Sequence, residues 1–325
     1  MGFSPPSRLK ANVVLGDNDG QAAIAINPLW QRFVGLPRTM IWDMSIDRGF
    51  TTLAVFTRSR GAFVWPLPRV ATQANLTGLW SAPGEDGWGL SLSHQGEILF
   101  PAWYTYDATG RPIWFLVSGA ARQADGSYFG DVFRFDGTPF SQINGMQANQ
   151  PGVIVGNARF TLLDSGAMRF DYSVNGITQS KTVNRLAPGP IPSCQFTTGS
   201  RAAARNHSDT WWNPTESGWG IQFVESGNLI FLAWYTYAAD GKPMWVTGLL
   251  TRQADGRFTG TLNRPLSGTP FSQINGPATS FPVPAVGDAT LVFSNGERGN
   301  FTYTLDGVLQ SKPIERFVYA GPTQT

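Results

Sequence analysis

The chain has 325 residues, enough for about two or three domains each with a core of its own. Charged residues make up only 14% and the formal net charge is +2, which gives no electrostatic basis for nucleic acid or an anionic membrane as partner. Glycine (37), phenylalanine (22) and tryptophan (12) are plentiful and charged helix-forming runs are missing, so strands and turns are expected throughout.

Residues 1–74 carry no obvious repeat and stay unassigned. The start, MGFSPPSRLK, leads into polar sequence rather than an apolar run, so no intact signal peptide is read there. No stretch reaches the roughly 18 apolar residues of a membrane-spanning helix. The segment Ala54–Trp65 (AVFTRSRGAFVW) faintly echoes a hairpin found further along.

From Glu85 the chain reads EDGWGLSLSHQGEILFPAWYTYDATGRPIW, and from Glu216 it reads ESGWGIQFVESGNLIFLAWYTYAADGKPMW. The match continues through RQADG into GTPFSQING, identical at Gly137–Gly145 and Gly268–Gly276, and resumes as GITQSKTVNR and GVLQSKPIER. A one-residue slip before RQADG is cancelled by another after it. This is a duplication, with module 1 at 75–186, a Pro/Gly/Ser/Ala-rich stretch at 187–205 read as an exposed linker, and module 2 at 206–320. The only cysteine, Cys194, falls in that linker and is expected to be a free thiol.

Inside each module, apolar and aromatic runs alternate with Gly-containing turns such as DATG, QADG and VNG. About eight short strands per module suit an antiparallel up-and-down meander, closed into a β-barrel that removes its edges, or folded as a two-sheet sandwich. If Asp107–Gly110 and Ala238–Gly241 are four-residue loops, Trp103 faces Trp114 and Trp234 faces Trp245 on one sheet face. Such indoles either fill a core or wall a ligand cavity at a barrel mouth, and Trp88 and Trp219, flanked by glycines, share both readings. Glu85 and Glu216 read as turn carboxylates.

Enzyme signatures are scarce. The two histidines, His94 and His207, occupy non-equivalent positions in the repeats, so the module has no His-based triad or metal cluster. No phosphate-binding glycine loop is present. No catalytic residue, metal ligand or cofactor is therefore assigned. Paired carboxylates across a barrel mouth would suit glycoside hydrolysis, but nothing in the spacing shows that any two meet.

Two resemblances arise from these residues. WWNPTESGWG (Trp211–Gly220), followed by AWYTYAADGKPMW, resembles a Trp-rich module of uncharacterised exported proteobacterial proteins. That likeness covers both repeats and implies a periplasmic or extracellular location. LTGLW (Leu76–Trp80) is similar to the first strand of calycin barrels, the lipocalin and avidin group. There a strand-one Trp is covered by an Arg of the last strand, which implies latches of Arg185 on Trp80 and Arg316 on Trp211. Module 2 departs from that pattern, with Asp209 in place of the glycine. The avidin-like likeness further implies Asn213 and Ser217 as polar ligand contacts; the corresponding residues of module 1, Ala82 and Asp86, match the pattern at neither place.

The sequence thus predicts a non-enzymatic exported binding protein that holds a small molecule or glycan in aromatic-lined barrels, with Trp211, Asn213, Ser217, Trp219, Trp234, Trp245, Trp88, Trp103 and Trp114 as candidate contacts. A structural or adhesive surface module with a protein partner is the rival, and a glycosidase-like enzyme stands third. A hollow barrel would favour the first, a filled one with an exposed aromatic patch the second.

Overall fold

The computed structural model describes residues 13–15, 22–26, 29–32, 41–46, 52–57, 61–66, 75–164, 166–187, 196–197, 200–276, 282–321 and 323–324. The chain forms two compact units, Met1–Gln73 and Ala74–Thr325. Cys194 lies outside the described residues.

The first unit holds two antiparallel three-stranded sheets. One is β1 (Val13–Leu15), β2 (Ala22–Ile26) and β3 (Leu29–Arg32); the other is β4 (Ile41–Ile46), β5 (Thr52–Thr57) and β6 (Gly61–Pro66). Within the AVFTRSRGAFVW stretch the described residues fall on β5 and β6, which pair antiparallel with Thr57 opposite Gly61.

The second unit is two antiparallel closed barrels. The first runs β7 (Gly78–Ser81), β8 (Gly89–Gln95), β9 (Ile98–Tyr106), β10 (Pro112–Val117), β11 (Ala120–Arg122), β12 (Tyr128–Arg134), β13 (Val153–Leu162), β14 (Ala167–Val174) and β15 (Ile177–Leu186). Strand β15 pairs back onto β7 to close it. A short pairing of β16 (Phe196–Thr197) with the C-terminal β25 (Thr323–Gln324) follows. The second barrel runs β17 (Asp209–Trp212), β18 (Gly220–Ser226), β19 (Leu229–Tyr237), β20 (Pro243–Arg252), β21 (Phe258–Asn263), β22 (Ala285–Asn295), β23 (Arg298–Leu305) and β24 (Val308–Arg316), closed by β17–β24 pairing. Of barrel and sandwich, the chain takes the barrel.

The sequence slip explains the one difference in strand count. Module 1 carries an extra residue before RQADG, and it is absorbed at Ser118–Gly119, where Gly119 takes φ +77° and splits one long strand into β10 and β11. Module 2, without the insertion, keeps β20 continuous over the same span.

The tryptophan register differs from expectation. Asp107 N–H donates to Arg111 O (2.9 Å) and Tyr106 pairs with Pro112, so the loop holds five residues, one more than expected. That shift places Trp103 opposite Phe115, and Trp114 opposite Tyr104. The second barrel repeats it, with Trp234 opposite Val246 and Trp245 opposite Tyr235. Because side chains alternate faces along a strand, the two members of each expected pair fall on opposite faces. Trp103 and Trp234 join their own barrel's core, while Trp114 and Trp245 cross to the other barrel.

Candidate functional site

The barrels are joined by the nine-residue loop that is identical in both. Loop 137–145 of the first barrel enters the end of the second, and loop 268–276 enters the first. Phe140 meets Trp234 edge-on at 6.2 Å between centroids, and Phe271 meets Trp103 at 5.4 Å. Phe140, Ile143 and Ala148 are part of the second barrel's core, and Phe271 and Ile274 part of the first. Gly137 lies against the Tyr237 ring and Gly268 against that of Tyr106, and a Cβ at either would overlap the ring.

Polar groups make the same exchange. Lys312 Nζ bonds Glu216 Oε1 (2.7 Å) and the loop carbonyl of Ile143 (2.6 Å), and Gly145 N–H donates to the same carboxylate oxygen (2.7 Å). In the first barrel Lys181 Nζ bonds Glu85 Oε1 (2.8 Å) and Ile274 O (2.6 Å), with Gly276 N–H donating to Glu85 (3.3 Å). The other oxygen of each carboxylate accepts the indole N–H three residues on, Trp88 or Trp219, both at 3.2 Å. Gln179 and Gln310 donate to Ser272 O and Ser141 O, and Trp114 and Trp245 donate across to Thr236 O and Thr105 O. Glu216 is 3% exposed, so an unpaired carboxylate there would be strongly destabilising. The glutamates expected as turn carboxylates are therefore clasp residues. The repeat signature E-x-x-W-G, AWYTY, GTPFSQING and QSK is spent largely on joining one module to the other.

Both barrel interiors are filled by side chains, among them Trp88, Trp103, Phe115 and Phe170 in the first and Trp219, Trp234, Phe223 and Phe301 in the second, each at most 5% exposed. Nor do the modules stand as independent bodies, since each core includes the other's loop.

Arg185 lies 6.0 Å from the Trp80 ring centre and Arg316 5.3 Å from that of Trp211. Each arginine pairs with its tryptophan in the strand register. Arg185 also donates to Asn75 O (3.1 Å) and Thr77 O (2.5 Å), and Arg316 to the carbonyls of Gly296, Asn206 and Ser208. Asp209, where module 1 has Gly78, is fully buried. Its carboxylate takes Arg201 at 2.6 Å, Arg316 at 3.4 Å and the Ser93 hydroxyl at 2.7 Å. This corrects the reading of 187–205 as wholly exposed: Arg201 is 2% exposed because the buried Asp209 requires a cation.

A cavity of about 250 Å³ opens along the seam between the barrels. Trp114, Leu116 and Phe135 contribute from the first barrel, and Trp212, Trp219 and Tyr235 from the second. Neutral polar residues Ser118, Asn149, Thr210, Ser217 and Gln222 also line it, and no Asp, Glu, Lys, Arg or His does. Trp114 is near-parallel to Phe135 at 6.0 Å and edge-on to Tyr235 at 6.0 Å. Beside it, Phe100, Trp212, Phe317 and Tyr319 form a half-buried aromatic ladder with spacings of 4.8–5.4 Å. Burial pushes the Tyr235 hydroxyl well up from its ordinary value, so it stays neutral, and it shares a hydrogen bond with the Ser91 hydroxyl at 2.6 Å.

Of the expected contacts, this cavity gathers Trp114, Ser217 and Trp219. Trp88, Trp103, Trp211 and Trp234 sit in barrel cores, and Trp245 lies in the seam but outside the cavity lining. Asn213 is 5% exposed and its side-chain oxygen accepts from Thr215 N–H and hydroxyl, capping the turn Pro214–Glu216. Sequence reasoning missed Phe135, Trp212 and Asn149. Trp212 adjoins the highlighted Trp211, and alternation along β17 would have sent one of the two outward. Among the described residues no group of three or more His, Cys, Asp or Glu could hold a metal, and no helix is long and apolar enough to cross a membrane.

Comparison of the chain with protein-family models, with curated proteins and with solved structures finds no match.

Proposed function

We propose that this is a non-enzymatic, exported binding protein whose ligand, a small uncharged molecule or a glycan ring, lies in the seam between the two barrels. The observation that carries this reading is the cavity between Trp114 and Trp219, apolar on its walls and edged by amide and hydroxyl groups only. Aromatic walls with a few neutral polar groups suit sugar rings and planar neutral molecules, and no charged side chain lines the cavity to pair with an anion. With both interiors filled, this reading puts the ligand between the barrels rather than inside one. The filled interiors also favour the second reading, a surface module that docks a protein side chain on the Phe100–Trp212–Phe317–Tyr319 ladder.

The test is to titrate neutral oligosaccharides and a cyclic urea against the full chain, following tryptophan fluorescence, alongside Ser118→Phe, which fills the exposed rim of the cavity. Saturable quenching in the parent and its loss in Ser118→Phe support the seam site. A flat response to every probe, or unchanged binding by Ser118→Phe, removes it.

A further inference from the structure

The two barrels are copies, so each position in one has a control in the other. At the mouth of the second barrel, Arg264 forms a two-point ion pair with Asp306, at 2.5 and 3.1 Å. Asp306 sits in the β23–β24 turn at φ +49°. Arg264 also touches Met244 Sδ at 3.6 Å, so the pair bolts the turn over the mouth. In the first barrel the arginine is retained as Arg134, but the turn residue is Asn175, in the same conformation at φ +50°. The Arg134 side chain makes no hydrogen bond or ion pair among the described residues.

Where the bolt is missing there is a cavity of about 500 Å³. Its floor is Ile113, Phe115 and the inserted Phe271, all buried, with Ile177 half-buried beside them. Its rim carries the exposed Arg134, Asn175, Ala108 and Thr109. The other charged groups around it are already engaged. Arg111 is held by Asp240 (2.6 Å), Lys242 by Asp136 (2.7 Å), and Asp107 accepts from Thr109 and from Arg111 N–H. Arg134 is left as the one rim cation without a counter-charge among the described residues, above an apolar floor.

We propose that the mouth of the first barrel binds a small carboxylate bearing an apolar tail, its carboxylate taking on Arg134 the place that Asp306 takes on Arg264. A guanidinium prefers a planar carboxylate over a neutral group, and the apolar floor accepts the tail. This site is separate from the seam cavity and stands or falls independently of it.

The experiment is calorimetric titration of the full chain at low ionic strength with octanoate and, as the neutral control, 1-octanol. The parent should bind one octanoate per chain, and octanol about tenfold more weakly or less. Arg134→Gln should weaken octanoate by about tenfold or more. Asn175→Asp, which installs the second barrel's bolt at a turn that already accepts Asp in the other copy, should do the same without lowering the melting temperature. Ser118→Phe, in the seam, should leave octanoate binding unchanged. Equal binding of octanol and octanoate, parent-like binding by Asn175→Asp, loss of binding in Ser118→Phe, or no octanoate binding at millimolar concentration would each overturn the assignment.

Discussion

Truncating Phe140 to alanine removes a side chain from the first barrel's loop but leaves the hole in the second barrel. Phe140 is 6% exposed and belongs to the core that contains Trp234 and Phe301. Withdrawing a buried phenyl group costs roughly 2–3 kcal/mol of transfer free energy. Its edge-on contact with Trp234 adds about 0.5–1.5 kcal/mol. The sum, about 2.5–4.5 kcal/mol, overlaps the roughly 3–5 kcal/mol usual for Phe→Ala in a core. Urea unfolding of the full chain, followed by tryptophan fluorescence and by far-ultraviolet circular dichroism, measures it. Phe271→Ala should cost a similar amount, because it occupies the reciprocal place beside Trp103. In both variants the signals from residues 74–325 should move together. A loss under about 1 kcal/mol for Phe140→Ala, or two separate transitions for the barrels in the parent, would refute the argument that each core is completed by the other module.

The two arginine latches should differ. Arg316→Ala should cost about 3 kcal/mol or more, since it removes one of the two guanidiniums on the buried Asp209, whereas the half-buried Arg185 donates to the carbonyls of Asn75 and Thr77 and Arg185→Ala should cost about half as much; thermal unfolding of both variants checks the order. The Arg111–Asp240 pair links the barrels at an exposed edge, and its hydrogen bonds with Arg111 hold the Asp240 carboxyl well below the usual range. Its stabilisation is complete above about pH 4, the ordinary aspartate value, and is lost as the pH falls from there through the depressed value. Exposure to solvent limits it to about 1 kcal/mol or less. Melting curves of the parent and Asp240→Asn should therefore differ slightly at neutral pH and converge in acid.

Strand positions were legible in the residues because each run of alternating or aromatic sequence ends at a glycine turn. About eight strands per module are read from the sequence, and the second barrel has eight, β17–β24. Which way the indoles point was less legible, because a single residue in the Asp107–Arg111 loop decides it, and DATGR serves a four- or five-residue loop equally well. The clasp was legible only in retrospect. Nine identical loop residues in two copies are more than turn geometry requires, and a shared lysine, Lys181 and Lys312, in the last strand needed a shared acceptor. Linear sequence shows that both copies kept these residues, but a reciprocal contact across some 130 positions has no local signature.

The crossed loops also impose an order on synthesis. All strands of the first barrel have been synthesised by Leu186, yet Phe271 and Ile274, which complete its core, are about 90 residues further on. At ordinary elongation rates that interval is on the order of ten seconds. During it the nascent first barrel has an uncovered Trp103 and no loop carbonyl for Lys181. A newly made half-chain is therefore the form most exposed to aggregation and to capture by chaperones, and a ribosome stalled between residues 187 and 267 should hold a first barrel more sensitive to protease than the one in the finished chain.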